Sequence, residues 1–331
     1  MKRGEVQFTA KNTAELVFIE EEIKEDSIVI QNDYSLISPG TELALFCMTH
    51  IGFTSDEIEW AKYPIAAGYA SVGKVINSPN TPDLNKGNII MHYKPHGDYS
   101  ILSSKDDLYF KLSDKDNEIK SLFTRFGQIS YTAVASSQKE NGHVLVYGGG
   151  LIGNICAQLF KLVTNREVTV ADISNQRLEL ARKCGLNTLN PKDKDFKKQL
   201  NIITNSMGFD TIVEATGVPS VINDALDLVN FGGELILLGS TRGLVSINPY
   251  KDIHRKCINV IGAHENRFEK IGPFNSQEYF GNEVLKYIEQ GQILVDLFIT
   301  DYIQVDNIEK AYYALLEDRD KHLAIIIDWK D

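Results

Sequence analysis

The sequence of 331 residues predicts an α/β protein with a doubly wound parallel sheet and a second, mostly β domain. In its middle part, apolar runs of strand length alternate with helix-length segments, a pattern typical of parallel strands connected by helices. A glycine-rich turn joins one of these strands directly to a helix. The length also exceeds the roughly 250–300 residues at which one hydrophobic core stops growing, so we expect two domains.

The first part of the chain contains short strand-like runs separated by Pro, Gly, Asn and Asp residues. They predict a mostly β domain over residues 1–122, with strands in ELVFIEEEI, SIVIQNDYSLI, ASVGKVI and NIIMHY. The parallel sheet is predicted over residues 123–265, from the runs HVLVYG, EVTVAD, DTIVEAT, GELILLGS and INVIGA. Because the N-terminal strands have few partners of their own, we expect residues 266–331 to return and complete the first domain.

The composition argues against several classes of partner. A net charge of −11 would repel a phosphate backbone, so nucleic acid is not expected to bind. No apolar run approaches the roughly 20 residues that span a bilayer, and the N-terminus lacks the apolar stretch of a secretory signal. We therefore expect no membrane partner. The four cysteines are widely spread without a C-x-x-C pair, which favours reduced thiols in a cytoplasmic protein.

The stretch HVLVYGGGLIGN predicts a strand, a tight turn and a helix that begins with Leu151 and Ile152. In such a turn the first glycine, Gly148, makes the sharp bend and the second, Gly150, lets the backbone approach a pyrophosphate. The third, Gly153, lets helix and strand pack closely. The helix N-terminus would then offer N–H groups and a positive dipole end to the phosphates, so we expect a bound dinucleotide.

The strand EVTVAD ends at Asp172, at the distance expected for the acid that binds the adenosine ribose. A 2′-phosphate would lie against this carboxylate, so NAD is favoured over NADP, although the nearby Arg177 would soften that preference. Two alternatives stay open from these residues alone: a simple glycine turn, and a methyltransferase nucleoside site, which also uses a carboxylate after its second strand.

The order of these segments resembles the medium-chain dehydrogenase/reductase superfamily, in particular its alcohol and polyol dehydrogenases. The resemblance spans nearly the whole chain, through GYASVGKV, LNKGNII, VLVYGGGLIGN, VTVADISNQRLELARKCG and DTIVEATG. It implies a GroES-like catalytic domain and a Rossmann NAD-binding domain. It also places Thr216 and Gly217 beside the nicotinamide ribose, and Leu238, Gly239 and Ile261 at the carboxamide end, and it implies a homodimer.

The sequence differs from the zinc-dependent members of that superfamily at the positions of their zinc ligands. Ser38 stands where they place a cysteine, Tyr69-Ala70 where they place a His-Glu pair, and Arg125 near the third ligand. Zinc needs three Cys, His or carboxylate ligands, which these residues do not supply. No cysteine occurs between Cys47 and Cys156, so the four-cysteine structural lobe is missing too. We therefore expect no bound metal.

Side chains must then manage the proton that accompanies hydride transfer. Tyr69 is the first candidate, since a phenol with a pKa near ~10 donates well and Arg125 would lower that pKa. His96, with His92, is the second candidate, and Glu42 would orient the tyrosine or bind substrate hydroxyls. His264 would reach the edge of the cofactor. Each of these residues has an ordinary structural alternative as a packing or capping group.

The predicted function is an NAD(H)-dependent oxidoreductase that interconverts a secondary alcohol and a ketone without catalytic zinc. The combination of SPGTE and GYASVG resembles a subgroup that acts on large or polyhydroxylated substrates, so a sugar, polyol or cyclic alcohol is expected. One alternative is a zinc-free enone or quinone reductase that uses NADPH. The other is a non-catalytic NAD-binding sensor or scaffold.

Overall fold

The computed structural model describes residues 1–54, 61–79, 81–268, 270–271 and 274–330. The chain divides into two compact units. The first consists of Met1–Arg125, Gly281–Gly291 and Val295–Asp331, and the second of Phe126–Phe280 and Gln292–Leu294.

The strands are β1 (Lys2–Ala10), β2 (Thr13–Glu20), β3 (Ser27–Ile37), β4 (Ile65–Ala66), β5 (Ser71–Asn77), β6 (Ile89–His92), β7 (Tyr99–Ser103), β8 (Tyr109–Lys111), β9 (Val144–Tyr147), β10 (Val168–Ala171), β11 (Asn187–Leu189), β12 (Phe209–Glu214), β13 (Val229–Leu237), β14 (Asn259–Gly262), β15 (Lys270–Ile271), β16 (Phe274–Asn275), β17 (Ile299–Gln304) and β18 (Ala324–Asp328). The helices are α1 (Thr41–Phe46), α2 (Glu118–Ser121), α3 (Thr124–Ser136), α4 (Leu151–Thr164), α5 (Asn175–Lys183), α6 (Phe196–Thr204), α7 (Pro219–Leu228), α8 (Ser276–Glu289) and α9 (Ile308–Glu317). Short 3₁₀ turns cover Ile51–Phe53, Lys115–Asn117, Glu265–Arg267, Asp296–Phe298 and Val305–Asn307, and a π-helical turn covers Pro249–His254.

The first unit contains a sheet in the order β2-β1-β4 and a larger one in the order β17-β18-β3-β5-β6-β8, with β7 also paired to β3. The closing strand β18 is antiparallel to β3, with Ile326 opposite Leu36, and parallel to β17. Aromatic side chains fill one core of this unit: the Tyr312 ring packs edge-on against Phe8 at 5.0 Å and stacks on Phe46 at 5.1 Å. The C-terminal segment therefore supplies both sheet pairing and core to the N-terminal strands.

Strand β1 was not among the strands predicted from the sequence. Charged residues interrupt its apolar pattern, since Arg3 and Glu5 lie in the same strand. In the structure both are buried, and Arg3 Nη2 donates to Glu5 Oε2 at 2.8 Å. A buried ion pair thus replaces the apolar residues by which a strand is usually recognised in a sequence.

The second unit is built on a parallel sheet in the order β11-β10-β9-β12-β13-β14. Every residue of β9 and β10 is buried, as expected for strands that are covered on both faces. The chain leaves β9 toward β10 on one side and reaches β12 on the other, so the strand order reverses between β9 and β12. Ligands of such sheets bind at the carboxyl ends of the strands at this reversal.

The predicted fold class, a Rossmann-like parallel sheet with a separate mostly β domain, is confirmed. Within the part of the chain that the structure describes, no helix combines the length and the apolar character that crossing a bilayer would require.

Candidate functional site

The predicted cofactor residues lie in the second unit, at the carboxyl edge of its parallel sheet. Gly148 follows β9 with φ +100, a backbone conformation that favours glycine. A Cβ atom added to Gly153 would lie 1.9 Å from the carbonyl oxygen of Gly148, so only glycine lets α4 begin this close to the turn. A Cβ on Gly150 would meet nothing closer than Arg177 Nη1 at 3.8 Å, so the space over this residue is open.

Helix α4 begins at Leu151, with Gly150 at its N-cap in extended conformation. No side chain of the described residues caps this end of the helix. The first backbone N–H groups of a helix lack intrahelical partners, and the helix dipole adds positive potential there. The turn Leu151, Ile152 and Gly153 is therefore suited to bind an anion such as a pyrophosphate.

Asp172 follows β10 directly and braces the glycine turn. Its Oδ2 accepts the Gly149 N–H at 2.7 Å, and its Oδ1 accepts the Ser174 N–H at 2.8 Å. The Arg177 guanidinium lies 3.8 Å from the same Oδ2. Asp172 thus presents a mostly buried negative charge next to the bend, with a cation beside it.

Four of the five remaining predicted cofactor residues bond to Glu214, a buried residue at the end of β12 that sequence reasoning missed. Glu214 accepts the Thr216 hydroxyl, the Thr216 N–H at 2.7 Å and the Gly217 N–H at 3.0 Å. Its backbone carbonyl accepts the N–H groups of Leu238 at 2.9 Å and Gly239 at 2.7 Å. The structure therefore brings four of these residues together, while Ile261 lies in β14, opposite Ile236 of β13.

The predicted catalytic residues lie in the first unit. The Tyr69 hydroxyl donates to Ser38 Oγ at 2.5 Å. The Arg125 guanidinium lies 5.4 Å from the centre of the Tyr69 ring and 4.7 Å from that of the Tyr93 ring. At these distances a guanidinium is attracted by the ring faces. Ser38, Tyr69 and Arg125, which are far apart in the sequence, therefore form one cluster.

The expected lowering of the Tyr69 pKa is wrong in sign. Burial, followed by the negative charge of Glu42, raises the pKa of Tyr69 to about 12. The Ser38 hydrogen bond, the Arg125 charge and Thr41 each act in the opposite direction, but they do not outweigh the loss of water. Tyr69 is therefore a protonated phenol near neutral pH.

Glu42 and His96 are in direct contact. Glu42 Oε2 lies 3.0 Å from His96 Nε2 and accepts the Tyr312 hydroxyl at 2.6 Å, while its Oε1 accepts the Ser38 N–H at 2.8 Å. All three side chains are buried, and His96 Nδ1 has no hydrogen-bond partner among the described residues. Burial and the Glu42 carboxylate raise the pKa of Tyr312 well above that of a free tyrosine. Sequence reasoning missed Tyr312, which no local pattern connects to Glu42.

The other two histidine candidates have ordinary structural contacts. His92 Nε2 lies 3.0 Å from Asn32 Oδ1, and burial, aided by the charge of Lys94, lowers the pKa of His92 to about 3. His92 is therefore neutral at any physiological pH. The His264 Nδ1 accepts the Asn266 N–H at 3.2 Å and so caps the turn that follows β14.

Ser38, Tyr69 and Arg125, which the resemblance aligns with zinc ligands, do not fit zinc. A tyrosine and a serine hydroxyl bond to each other there, and a guanidinium, which cannot donate a lone pair, stacks on the tyrosine. Elsewhere in the described ranges, no group of three or more His, Cys, Asp or Glu side chains is arranged to hold a metal ion.

Comparison with known proteins identifies related sequences and folds. The family described as zinc-binding dehydrogenase matches residues 152–276. L-threonine 3-dehydrogenase of Pseudoalteromonas atlantica is 34% identical over 151 residues, 45% of this chain and 44% of the relative. The same enzyme of Shewanella sp. (strain ANA-3) is 30% identical over 213 residues, 62% of this chain and 58% of the relative. The chain thus spans less than two thirds of the length of either relative.

The crystal structure of 2R,3R-butanediol dehydrogenase from Bacillus subtilis superposes with a TM-score of 0.81 at 20% sequence identity. The superposition covers 98% of this chain and 99% of that one, so the likeness of fold extends over both units.

Proposed function

We propose that this chain is a member of the medium-chain dehydrogenase/reductase superfamily and an NAD(H)-dependent oxidoreductase that interconverts a secondary alcohol and a ketone without a catalytic zinc ion. The Tyr69–Ser38 hydrogen bond with Arg125 beside it carries the proposal, because the resemblance aligns these residues with zinc ligands and a tyrosine hydroxyl can donate a proton. The names of the relatives, threonine and butanediol dehydrogenases, support a hydroxyl compound as substrate.

The bend between Gly148 and Gly153 and the first turn of α4 would hold the pyrophosphate of the dinucleotide. Asp172 would receive the adenosine ribose, and its charge would disfavour a 2′-phosphate, which supports NAD over NADP. Thr216, Gly217, Leu238 and Gly239 would line the nicotinamide end, as the resemblance implies. When bound, the nicotinamide supplies the hydride acceptor or donor.

Tyr69 handles the proton. Reduction of a ketone develops negative charge on the carbonyl oxygen, and a positioned phenol donates a hydrogen bond and then its proton to that oxygen. Tyr69 is protonated near neutral pH, so it is suited to this role. Arg125 stabilises the tyrosinate that remains, since its positive charge lies close to the ring.

The proposal is tested by measuring turnover and the metal content of the same purified protein. We expect substoichiometric zinc, reduction of cyclic or polyhydroxy ketones with NADH, and rates that a chelator does not change. Stoichiometric zinc with loss of activity on chelation would refute the metal-free mechanism. Turnover of conjugated enones alone, with NADPH, would indicate the enone reductase, and NAD binding without turnover on either panel would indicate a sensor or scaffold. The expected homodimer and cytoplasmic location stay predictions.

A further inference from the structure

A buried carboxylate, Glu42, belongs to the same cluster as the Tyr69 hydroxyl and takes no part in the proton transfer proposed above. Only 1% of Glu42 is exposed, yet three donors converge on it: the Ser38 N–H, His96 and Tyr312. A buried carboxylate is costly unless hydrogen bonds replace its water, and this one has both oxygens occupied. The arrangement is therefore well satisfied and holds the carboxylate in one orientation.

Ser38 connects this carboxylate to the phenol. Its side-chain oxygen accepts the Tyr69 hydroxyl, and its backbone N–H donates to Glu42. Tyr312, which supplies the third donor, lies in α9 with no exposed surface, and its ring packs against both Phe8 and Phe46. Tyr312 of the closing helix thus helps to fix the position of Glu42, and Glu42 in turn acts on Tyr69 through Ser38.

We propose that Glu42 is a positioning residue which, anchored by Tyr312 of the closing helix, holds the Ser38 turn and thereby fixes the Tyr69 hydroxyl in its hydrogen bond to Ser38. This inference rests on the proposed function, and it predicts that the two reaction directions depend differently on pH. Among the described residues, the hydroxyls of Ser38 and Thr41, the charges of Glu42 and Arg125, and the phenol of Tyr312 interact with Tyr69. Of the two charges, Glu42 opposes ionisation of Tyr69 and Arg125 favours it.

The consequence is a difference between the two reaction directions. Ketone reduction needs the protonated phenol, so its rate changes little with pH over the neutral and mildly alkaline range. Alcohol oxidation needs the tyrosinate as base, so its rate rises with pH without reaching a plateau while the protein stays folded.

Titration of Tyr69 tests the role of Glu42 without substrate or cofactor. The protein carries carbon-13-labelled tyrosine, and the Tyr69 signal is identified by its loss in Tyr69→Phe. We expect the midpoint of the Tyr69 titration to fall by about one pH unit in Glu42→Gln. At about pH 10.5, close to the pKa of a free phenol, Tyr69 should therefore be partly ionised in this variant and still protonated in the wild type. The control Glu15→Gln, an exposed glutamate of the same unit, should match wild type. An unchanged Tyr69 midpoint in Glu42→Gln would overturn the proposal.

Tyr312→Phe tests the anchor and removes only one hydroxyl, so it serves even where Glu42→Gln does not fold. We expect the Ser38 amide, measured by mass spectrometry with single-residue fragmentation, to exchange about tenfold faster, the equivalent of one hydrogen bond. Tyr313→Phe is the matched control, since this neighbour in α9 donates to the Asn12 carbonyl instead. Equal exchange in the two variants would overturn the anchoring role. Because neither measurement depends on turnover, a failed activity assay would leave both results readable.

Discussion

Gly150→Ala tests whether the bend after β9 holds a dinucleotide phosphate or is only a turn. In the protein without ligand, the new methyl group has 3.8 Å to its nearest neighbour, the flexible end of Arg177. This is ordinary van der Waals contact, so the melting temperature should not change. A phosphate held against the backbone would lose its space, and inserting a methyl group into a filled contact costs about 1–3 kcal/mol. The Kd for NADH should therefore rise about 5- to 150-fold, at 1.4 kcal/mol for each factor of ten.

Gly153→Ala provides the contrast, because its methyl group would lie 1.9 Å from the Gly148 carbonyl oxygen, about 1 Å closer than Cβ atoms approach in folded proteins. The backbone must move, so this variant should lose several degrees of melting temperature as well as NADH binding. Gly262→Ala is the neutral control, because a Cβ there meets nothing within 4 Å.

Isothermal titration with NADH and thermal melting of the three variants provide the measurement. Wild-type NADH affinity in Gly150→Ala would refute the phosphate site at this bend. A fall in the melting temperature of ligand-free Gly150→Ala equal to that of Gly153→Ala would show that the space over Gly150 is not open.

Tyr69→Phe should lower kcat for ketone reduction by about 10²- to 10⁴-fold with little change in melting temperature, and unchanged kcat would remove Tyr69 from the mechanism. Asp172→Asn removes the charge that opposes a 2′-phosphate, so the ratio of NADP to NAD affinity should rise at least about tenfold, whereas a constant ratio would show that Asp172 does not set it. Burial and the adjacent Asp33 carboxylate raise the pKa of Glu118 to about 7 from its ordinary 4.5, even though Lys330 bonds to it. The folded protein therefore binds the extra proton, and the free energy of unfolding should fall as pH rises from 4.5 to 7 and then level off. In urea titrations at several pH values, Glu118→Gln should lack this fall, on the order of 1–3 kcal/mol, and an unchanged pH dependence would contradict the assignment.

Several features of the site were accessible from the sequence because they depend on short segments. The glycine spacing and the strand before it predicted the bend, and the acid after the next strand, Asp172, was predicted as the ribose-binding residue. The hydrogen bond from the Gly149 N–H to Asp172 was seen only in the structure. The cluster of Ser38, Tyr69 and Arg125 was inferred only through the superfamily resemblance, which aligned three distant positions. Glu214 was missed, although the resemblance had named its partners as cofactor residues. A carboxylate that ends a strand and accepts hydrogen bonds from the turn after it has no characteristic spacing in the sequence.

The sequence by itself determined the fold class and the glycine bend, because both depend on short segments. Alternating apolar runs specify the strands and helices, and glycine is the residue that fits the positive φ at position 148 and the close contact at position 153. The tertiary structure alone decided the direction in which the pKa of Tyr69 shifts. That direction depends on the balance of lost water, the Glu42 charge, the Arg125 charge and two hydroxyl groups, and folding sets each distance. It also decided that Tyr312, 270 residues beyond Glu42, is one of the donors to this carboxylate, since chain separation carries no information about contact through a packed core.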